Sequence, residues 1–196
     1  VLFQENFETV SNFDGTGLGI GLGGWTLGIS PPGNNTVNQR GNRWSVSAFG
    51  TGTSSSLNGV RSLAIMSRRG NASQDWYYGY NTGRTADIQS ITPPISAQSY
   101  SNMVLSFNWK AFGEIAGSTL YDYGQVGYST NGSTVTWINT GGFNNSGFYH
   151  STASVTNQVI NLPTALNNTT IYIHFRWIND GSVGTQPPFY IDDIQI

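Results

Sequence analysis

Acids are scarce in this chain, and their placement is the first pointer to chemistry. The 196 residues include ten Asp and Glu, eight Lys and Arg, two His and no Cys. Four of the ten acids lie near the two ends: Glu5 and Glu8 in the opening stretch, Asp192 and Asp193 in the closing one. The closing pair interrupts an apolar run, Phe189-Tyr190-Ile191-Asp192-Asp193-Ile194-Gln195-Ile196. A carboxylate buried in a sheet is costly unless something pairs with it. If the first and last strands lie side by side, the four acids gather. A hard cation would then neutralise them, with loop carbonyls completing a shell of about six to eight oxygens. Glu5 and Asp192 are the primary ligands in this reading, Glu5 on the face of Phe7 and Asp192 on the face of Ile194 and Ile196. Arg40, Arg43, Arg61 or solvent at a sheet edge are the other partners the sequence offers.

Other chemistries find less support. Glu114 and Asp122 flank a loop after an apolar strand, a spacing open to a carboxylate pair for glycosidic cleavage. Turn and ion-pair roles are the commoner use of such acids, and no catalytic residue is assigned. His150 and His174 stand far apart with no His-Glu-x-x-His spacing, and without Cys no transition-metal ligand set forms. His174 falls on the polar side of its strand, where a hydrogen-bonded structural role is expected. The absence of Cys also removes a thiol nucleophile and a disulfide framework. No Gly-x-Ser-x-Gly elbow stands before a helix. Asp14-Gly15-Thr16-Gly17 lacks the later acids of an EF-hand loop, and the glycines of residues 14–24 carry no phosphate-binding pattern.

Aromatic residues form the second candidate site. Trp76, Tyr77, Tyr78 and Tyr80 cluster with Asp75, Asn81 and Arg84. In a strand, Trp76, Tyr78 and Tyr80 share one face. Flat rings beside amides and acids suit the C–H faces and hydroxyl rims of sugars, and Phe148-Tyr149-His150 offers a second patch. Large aromatics also fill cores. Exposure decides between the two, since a contiguous exposed patch marks a binding surface.

The elements that must position these groups are strands. Ile171, Ile173, Phe175 and Trp177 alternate with Tyr172, His174 and Arg176. Met103, Leu105, Phe107 and Trp109 alternate with Val104, Ser106, Asn108 and Lys110, again the period of a half-buried strand. Further strands are predicted over residues 1–8, 43–46, 61–67, 86–91, 94–95, 121–129, 134–138 and 155–162. Asn131-Gly132 is a hairpin signal. No amphipathic helix, internal repeat or domain boundary is found. The expectation is a single all-β domain over residues 1–196, a jelly-roll β-sandwich of two antiparallel sheets.

Composition narrows the setting. Only 9% of residues are charged, while 37% are hydrophobic and 13% aromatic. Solubility then rests on Ser, Thr, Asn and Gly, which suits an extracellular β-protein, and the aromatics argue against disorder. The net charge is −2 with no basic run, so nucleic acid is not an expected partner. No stretch approaches the ~20 apolar residues of a membrane span. No signal-peptide pattern opens the sequence, as expected of a mature or processed chain. Asn34, Asn71, Asn131, Asn144, Asn167 and Asn168 begin N-x-S/T triplets, acceptors only in a host that glycosylates.

With the strands placed, a resemblance comes into view. Glu5-Asn6-Phe7-Glu8 followed by Gly24-Trp25 resembles the opening of the cleaved-adhesin and "choice-of-anchor" domains. These are jelly-roll modules of secreted bacterial surface proteins, among them the adhesin domains of gingipain proteases. Leu105 to Trp109 and Tyr121 to Gly132 resemble that group's central hairpin. Ile173 to Trp177 and Ile191 to Ile196 resemble its closing pair. The likeness spans nearly the whole chain. It implies structural calcium bound between the terminal strands. One departure is that the group's acidic stretch after the first Trp has no counterpart here, since residues 26–44 contain no acid.

The function expected is a non-catalytic extracellular adhesion or carbohydrate-binding module of a secreted or cell-surface bacterial protein. Calcium at Glu5, Glu8, Asp192 and Asp193 would stabilise its fold. The partner would be a glycan or a host or matrix surface protein, met through Trp76, Tyr78 and Tyr80, with self-association as a further expectation. Two alternatives are a structural subunit of a surface layer or fibre and a polysaccharide-active enzyme on the same sandwich.

Overall fold

A computed structural model describes residues 1–9, 13–14, 23–28, 41–47, 61–67 and 79–196. In chain order its first strands are β1 (Gln4–Glu5), β2 (Phe13–Asp14), β3 (Thr26–Leu27), β4 (Asn42–Ser47) and β5 (Ser62–Ser67). Then come β6 (Ala86–Ile91), β7 (Ile95–Ser96), β8 (Val104–Ala111), β9 (Glu114–Ala116) and β10 (Thr119–Ser129). The last are β11 (Thr136–Trp137), β12 (Phe148–Tyr149), β13 (Thr152–Asn161), β14 (Thr170–Asn179) and β15 (Tyr190–Gln195). Among the described residues, the helical elements are two single 3-10 turns, Phe143–Asn145 and Thr164–Leu166. No helix among them is long and apolar enough to cross a membrane.

Among the described residues, all strand pairings are antiparallel and fall into two sheets. One runs β13-β8-β15-β5-β4-β2, with β1 also beside β15. The other runs β11-β10-β14-β6-β3, with β9 and β12 also on β10 and β7 on β14. The chain crosses between them repeatedly, from β5 to β6, β6 to β8, β8 to β10, β12 to β13, β13 to β14 and β14 to β15. That alternation is the expected jelly-roll.

Alternation along the long strands builds the core. Ile171, Ile173, Phe175 and Trp177 of β14 are fully buried, as are Leu105, Phe107 and Trp109 of β8. The two inner faces meet where Phe107 stands edge-on to Phe175, 5.6 Å between centroids. Trp25 stacks on Phe175 from the other side at 6.4 Å. Tyr149, Phe189 and Trp44 continue the seam, with centroids 5.0 and 6.1 Å apart. Phe189 reaches β10 because Gly124 has no side chain; a Cβ there would overlap the ring. Aromatic pairs of this kind add to the stabilisation from buried area.

The chain ends lie side by side, as the sequence reading requires. Gln4 and Glu5 pair with Gln195 and Ile194, and Ile196 and Phe3 exchange backbone hydrogen bonds. The paired stretch is shorter than the predicted strand over residues 1–8. Phe7 turns out of it with a positive φ of 57°, and the Glu5 carboxylate accepts the Phe7 N–H at 2.7 Å.

The closing strand differs from the sequence expectation at its acids. Ile191 and Ile194 are both in the core although three residues apart. A register shift between Asp192 and Gln195, with Asp193 at φ 48°, makes this consistent. It is a β-bulge. Asp192 therefore does not share the face of Ile194; it follows Tyr190 to the opposite side of the sheet.

Candidate functional site

The terminal carboxylates each have a protein partner. Asp192 is fully buried; one of its oxygens accepts from the Ser62 hydroxyl at 3.1 Å and the other from the Asp193 N–H at 2.9 Å. The second bond satisfies a backbone donor that the bulge leaves out of the ladder. Asp193 accepts from the Asn108 amide at 2.9 Å. Glu8 accepts the Arg61 N–H at 3.0 Å, and the Arg61 guanidinium bonds the Glu8 carbonyl. Asp192→Ala is expected to cost about 1–3 kcal/mol in urea unfolding, because a buried hydroxyl and a buried N–H lose their acceptor.

Among the described residues, three acids do bring their oxygens within 4.8 Å of one another, and they stand elsewhere: Glu114, Asp122 and Asp180. This group could hold a metal ion. Three strands assemble it. The β9–β10 hairpin turns at Gly117-Ser118 and places Glu114 opposite Asp122. The β10–β14 pairing sets Tyr123 opposite Ile178, which brings the residues just beyond β14 alongside Asp122. Asp122 is fully buried. It accepts from the Tyr80 hydroxyl at 2.6 Å and from the Asp180 N–H at 3.1 Å. Ser182 donates to Asp180 at 2.8 Å and reaches Glu114 at 3.5 Å. None of the three acids makes an ion pair among the described residues. Burial pushes the Asp122 carboxyl up to about 6; the Tyr80 and Asp180 hydrogen bonds pull it down, and the charges of Asp180 and Glu114 add to the rise. Burial and the neighbouring carboxylates also raise the Tyr80 phenol. An all-oxygen set with surplus negative charge suits a hard cation.

The outer face of the second sheet carries a row of rings. Val126 points into the core, so its β10 neighbours Gln125 and Gly127 point outward with Tyr123. Phe148 pairs with Gln125 across β12, and Trp137 pairs with Gly127 across β11. Tyr123 and Phe148 meet edge-on at 5.1 Å. Trp137 leans over the strand where Gly127 leaves room; a Cβ there would stand 2.8 Å from the indole. Arg176, between the buried Phe175 and Trp177, lies over the Trp137 ring at 5.1 Å. Its guanidinium donates two hydrogen bonds to Asp87, both 2.6 Å, and one to Gln125 at 3.1 Å. Tyr121, at a register shift between Leu120 and Asp122, is 36% exposed.

Tyr80 is in the core, 2% exposed, with its ring edge-on to Trp177 at 5.0 Å. That is the packing role the sequence weighed beside ligand contact. Trp76 and Tyr78 lie outside the described residues. His174 is buried between Ser129 at 2.7 Å and Gln89 at 3.1 Å, and burial lowers its pKa. His150 is likewise lowered by burial. The Trp137–Arg176–Asp87 arrangement had no local sequence signal. The acid triad had part of one: Gly117-Ser118 between extended runs is a two-residue hairpin turn.

No protein-family model matches the chain, and no curated protein does. Among solved structures, a cleaved adhesin domain of Lys-gingipain from Porphyromonas gingivalis is similar over 98% of this chain and 97% of that one. The identity is 16% and the TM-score 0.47.

Proposed function

We propose that residues 1–196 form a non-catalytic extracellular adhesion or carbohydrate-binding module of a secreted or cell-surface bacterial protein. The observation that carries this reading is the outward row Tyr123, Phe148 and Trp137, bordered by Gln125, Arg176 and Asp87. Half-exposed rings on a rigid sheet offer stacking surfaces, and the amide and charged groups beside them offer hydrogen bonds to hydroxyls. The low charge of the chain supports an extracellular setting. A catalytic carboxylate needs access to substrate, and the burial of Asp122 speaks against pairing it with Glu114 for hydrolysis.

Calcium belongs to this proposal as a stabiliser, with Glu114, Asp122 and Asp180 as its ligands. The terminal set of Glu5, Glu8, Asp192 and Asp193 is the alternative placement. Retention on a glycan array tests the function. Trp137→Ala is expected to weaken binding about tenfold or more, the loss of roughly 1.4 kcal/mol or more, with melting temperature nearly unchanged. Undiminished binding by that variant would refute this face as the site.

A second reading, a structural subunit of a layer or fibre, draws on β13. It is the outermost strand of its sheet, has no charged residue, and leaves Val155 48% and Val159 58% exposed. Uncharged edges of this kind pair with other strands. Concentration-dependent association in sedimentation would favour it.

A further inference from the structure

We propose that the outer face of the second sheet selects neutral glycans over acidic ones, and that Asp87 sets this choice. The inference rests on the carbohydrate-binding reading above and names the ligand class of that site.

The argument is one of charge. On β6, β10, β11, β12 and β14, the strands that build the face, the side chains with full charges are Asp87, Asp122 and Arg176. Asp122 is turned inward and buried. His174 lies on the same side of β14, but its ring is buried, hydrogen-bonded through both nitrogens and held toward the neutral form. Arg176 is thus the one cation of these strands, and Asp87 holds two of its N–H groups in a bidentate pair. A uronate, sialate or sulfate would have to compete with a carboxylate already in place, and it would approach a second negative charge while doing so. Like charges brought together are the strongest form of rejection at a binding face.

A neutral sugar meets no such penalty. Its C–H face has Trp137, Tyr123 and Phe148 to lie on. Gln125 accepts from Arg176 through its oxygen, which leaves its amide N–H groups as donors to hydroxyls. Asp87, with its side chain 55% exposed, keeps lone pairs for hydroxyl donors. The Arg176 guanidinium over Trp137 fixes the indole in place before any ligand arrives, so less side-chain freedom is lost on binding.

The test is affinity gel electrophoresis of the whole chain in gels holding one soluble polysaccharide each. The neutral probes are mannan, β-glucan and xylan; the acidic probes are polygalacturonate, hyaluronan and heparin. Expected is retardation by at least one neutral polymer, unchanged between about 0.05 M and about 0.5 M NaCl, because an uncharged ligand is not screened. Retardation should be lost in Trp137→Ala. Asp87→Asn, a change at an exposed side chain, should bind an acidic polymer about tenfold more tightly than the parent. That is the gain from one charge-assisted hydrogen bond, and it should fade in high salt. Salt-sensitive binding to acidic polymers alone, abolished by Trp137→Ala, overturns the neutral class and leaves the carbohydrate reading standing. Retardation by no polymer overturns both.

Discussion

Between about pH 7 and about pH 4.5, the wild type is expected to gain about 2 kcal/mol of stability relative to its Asp122→Asn variant. The sign follows from the carboxyl's two environments. Unfolded, Asp122 has its ordinary pKa of 3.8; folded, burial pushes it up to about 6. The folded state therefore holds the proton more tightly. Above pH 6 the buried group is ionised and its full penalty is present. As pH falls through 6 toward 3.8, the folded state takes up the proton first and the penalty is relieved. The variant carries no charge at any pH and serves as the reference. His150 and His174 titrate with the opposite sign, since burial lowers both. Their contribution is present above the ordinary histidine value and is lost as pH falls below it. It is common to both proteins and drops out of the difference. In a chain of this length the change amounts to about 4–8 °C in melting temperature.

Calcium should act on the same residue from the other side. A cation among Glu114, Asp122 and Asp180 neutralises the ionised carboxyl and stabilises the folded state by mass action. Added calcium at neutral pH should raise the melting temperature of the wild type, and chelator should reverse it. The Asp122→Asn response should be much smaller. A calcium response equal in both proteins, but lost in Asp192→Ala, would move the cation to the chain ends. A pH-independent gap between wild type and variant would show that Asp122 titrates normally.

The long strands were legible because their side chains obey a single period. β8 and β14 each have one face in the core, and alternation alone assigns every residue of Leu105 to Trp109 and Ile171 to Trp177 to its side. The closing strand was harder. Ile191 and Ile194 cannot share a face under a period of two, and only the bulge between them puts both in the core. Two acids at that spot then have a reason besides metal: one carboxylate caps the N–H that the bulge sets free, and the other takes an amide from β8. Phe7 is a similar case, where an apolar residue after a short strand reaches the core by a backbone turn that periodicity does not encode.

The candidate sites were less legible because they are assembled across strands. Asp180 reaches Asp122 by the register of β10 against β14, which no local pattern fixes. Phe148 stood in the second aromatic patch that the sequence offered, but Trp137 and Arg176 come from two other strands and read singly as unremarkable. The dense run ending at Tyr80 drew attention by proximity in sequence, yet that tyrosine is spent on the core and on Asp122. Short ladders such as β9 and β12, three and two residues long, are held by their neighbours more than by propensity, and sequence pattern passes over them.

Gly184→Ala is expected to destabilise the protein by about 2–6 kcal/mol, more than its surface-loop position suggests. A Cβ at this glycine would stand 2.5 Å from the Asp122 carboxylate and closer still to the Tyr80 hydroxyl. The clash is with the two ends of a buried hydrogen bond, 2.6 Å long, whose owners cannot retreat. Tyr80 is wedged against Trp177, and Asp122 is held in β10 opposite Glu114 of β9 and by the Asp180 N–H. The loop must therefore lift or the pair must part. Overpacking alone costs about 1–3 kcal/mol, and parting the pair leaves a buried phenol and a buried carboxylate short of a partner, about 1–3 kcal/mol more. Tyr80→Phe separates the two contributions. It removes the hydroxyl without adding bulk, so it should cost only the second amount, and it should push the Asp122 carboxyl higher still by removing a donor that favours the charged form. Combined with Gly184→Ala it should cost less than the two changes added, because the missing hydroxyl makes room for the methyl. Urea unfolding of the four proteins reads this directly. If Gly184→Ala stands within about 0.5 kcal/mol of the parent, the range of ordinary surface substitutions, the loop does not press on the Tyr80–Asp122 pair.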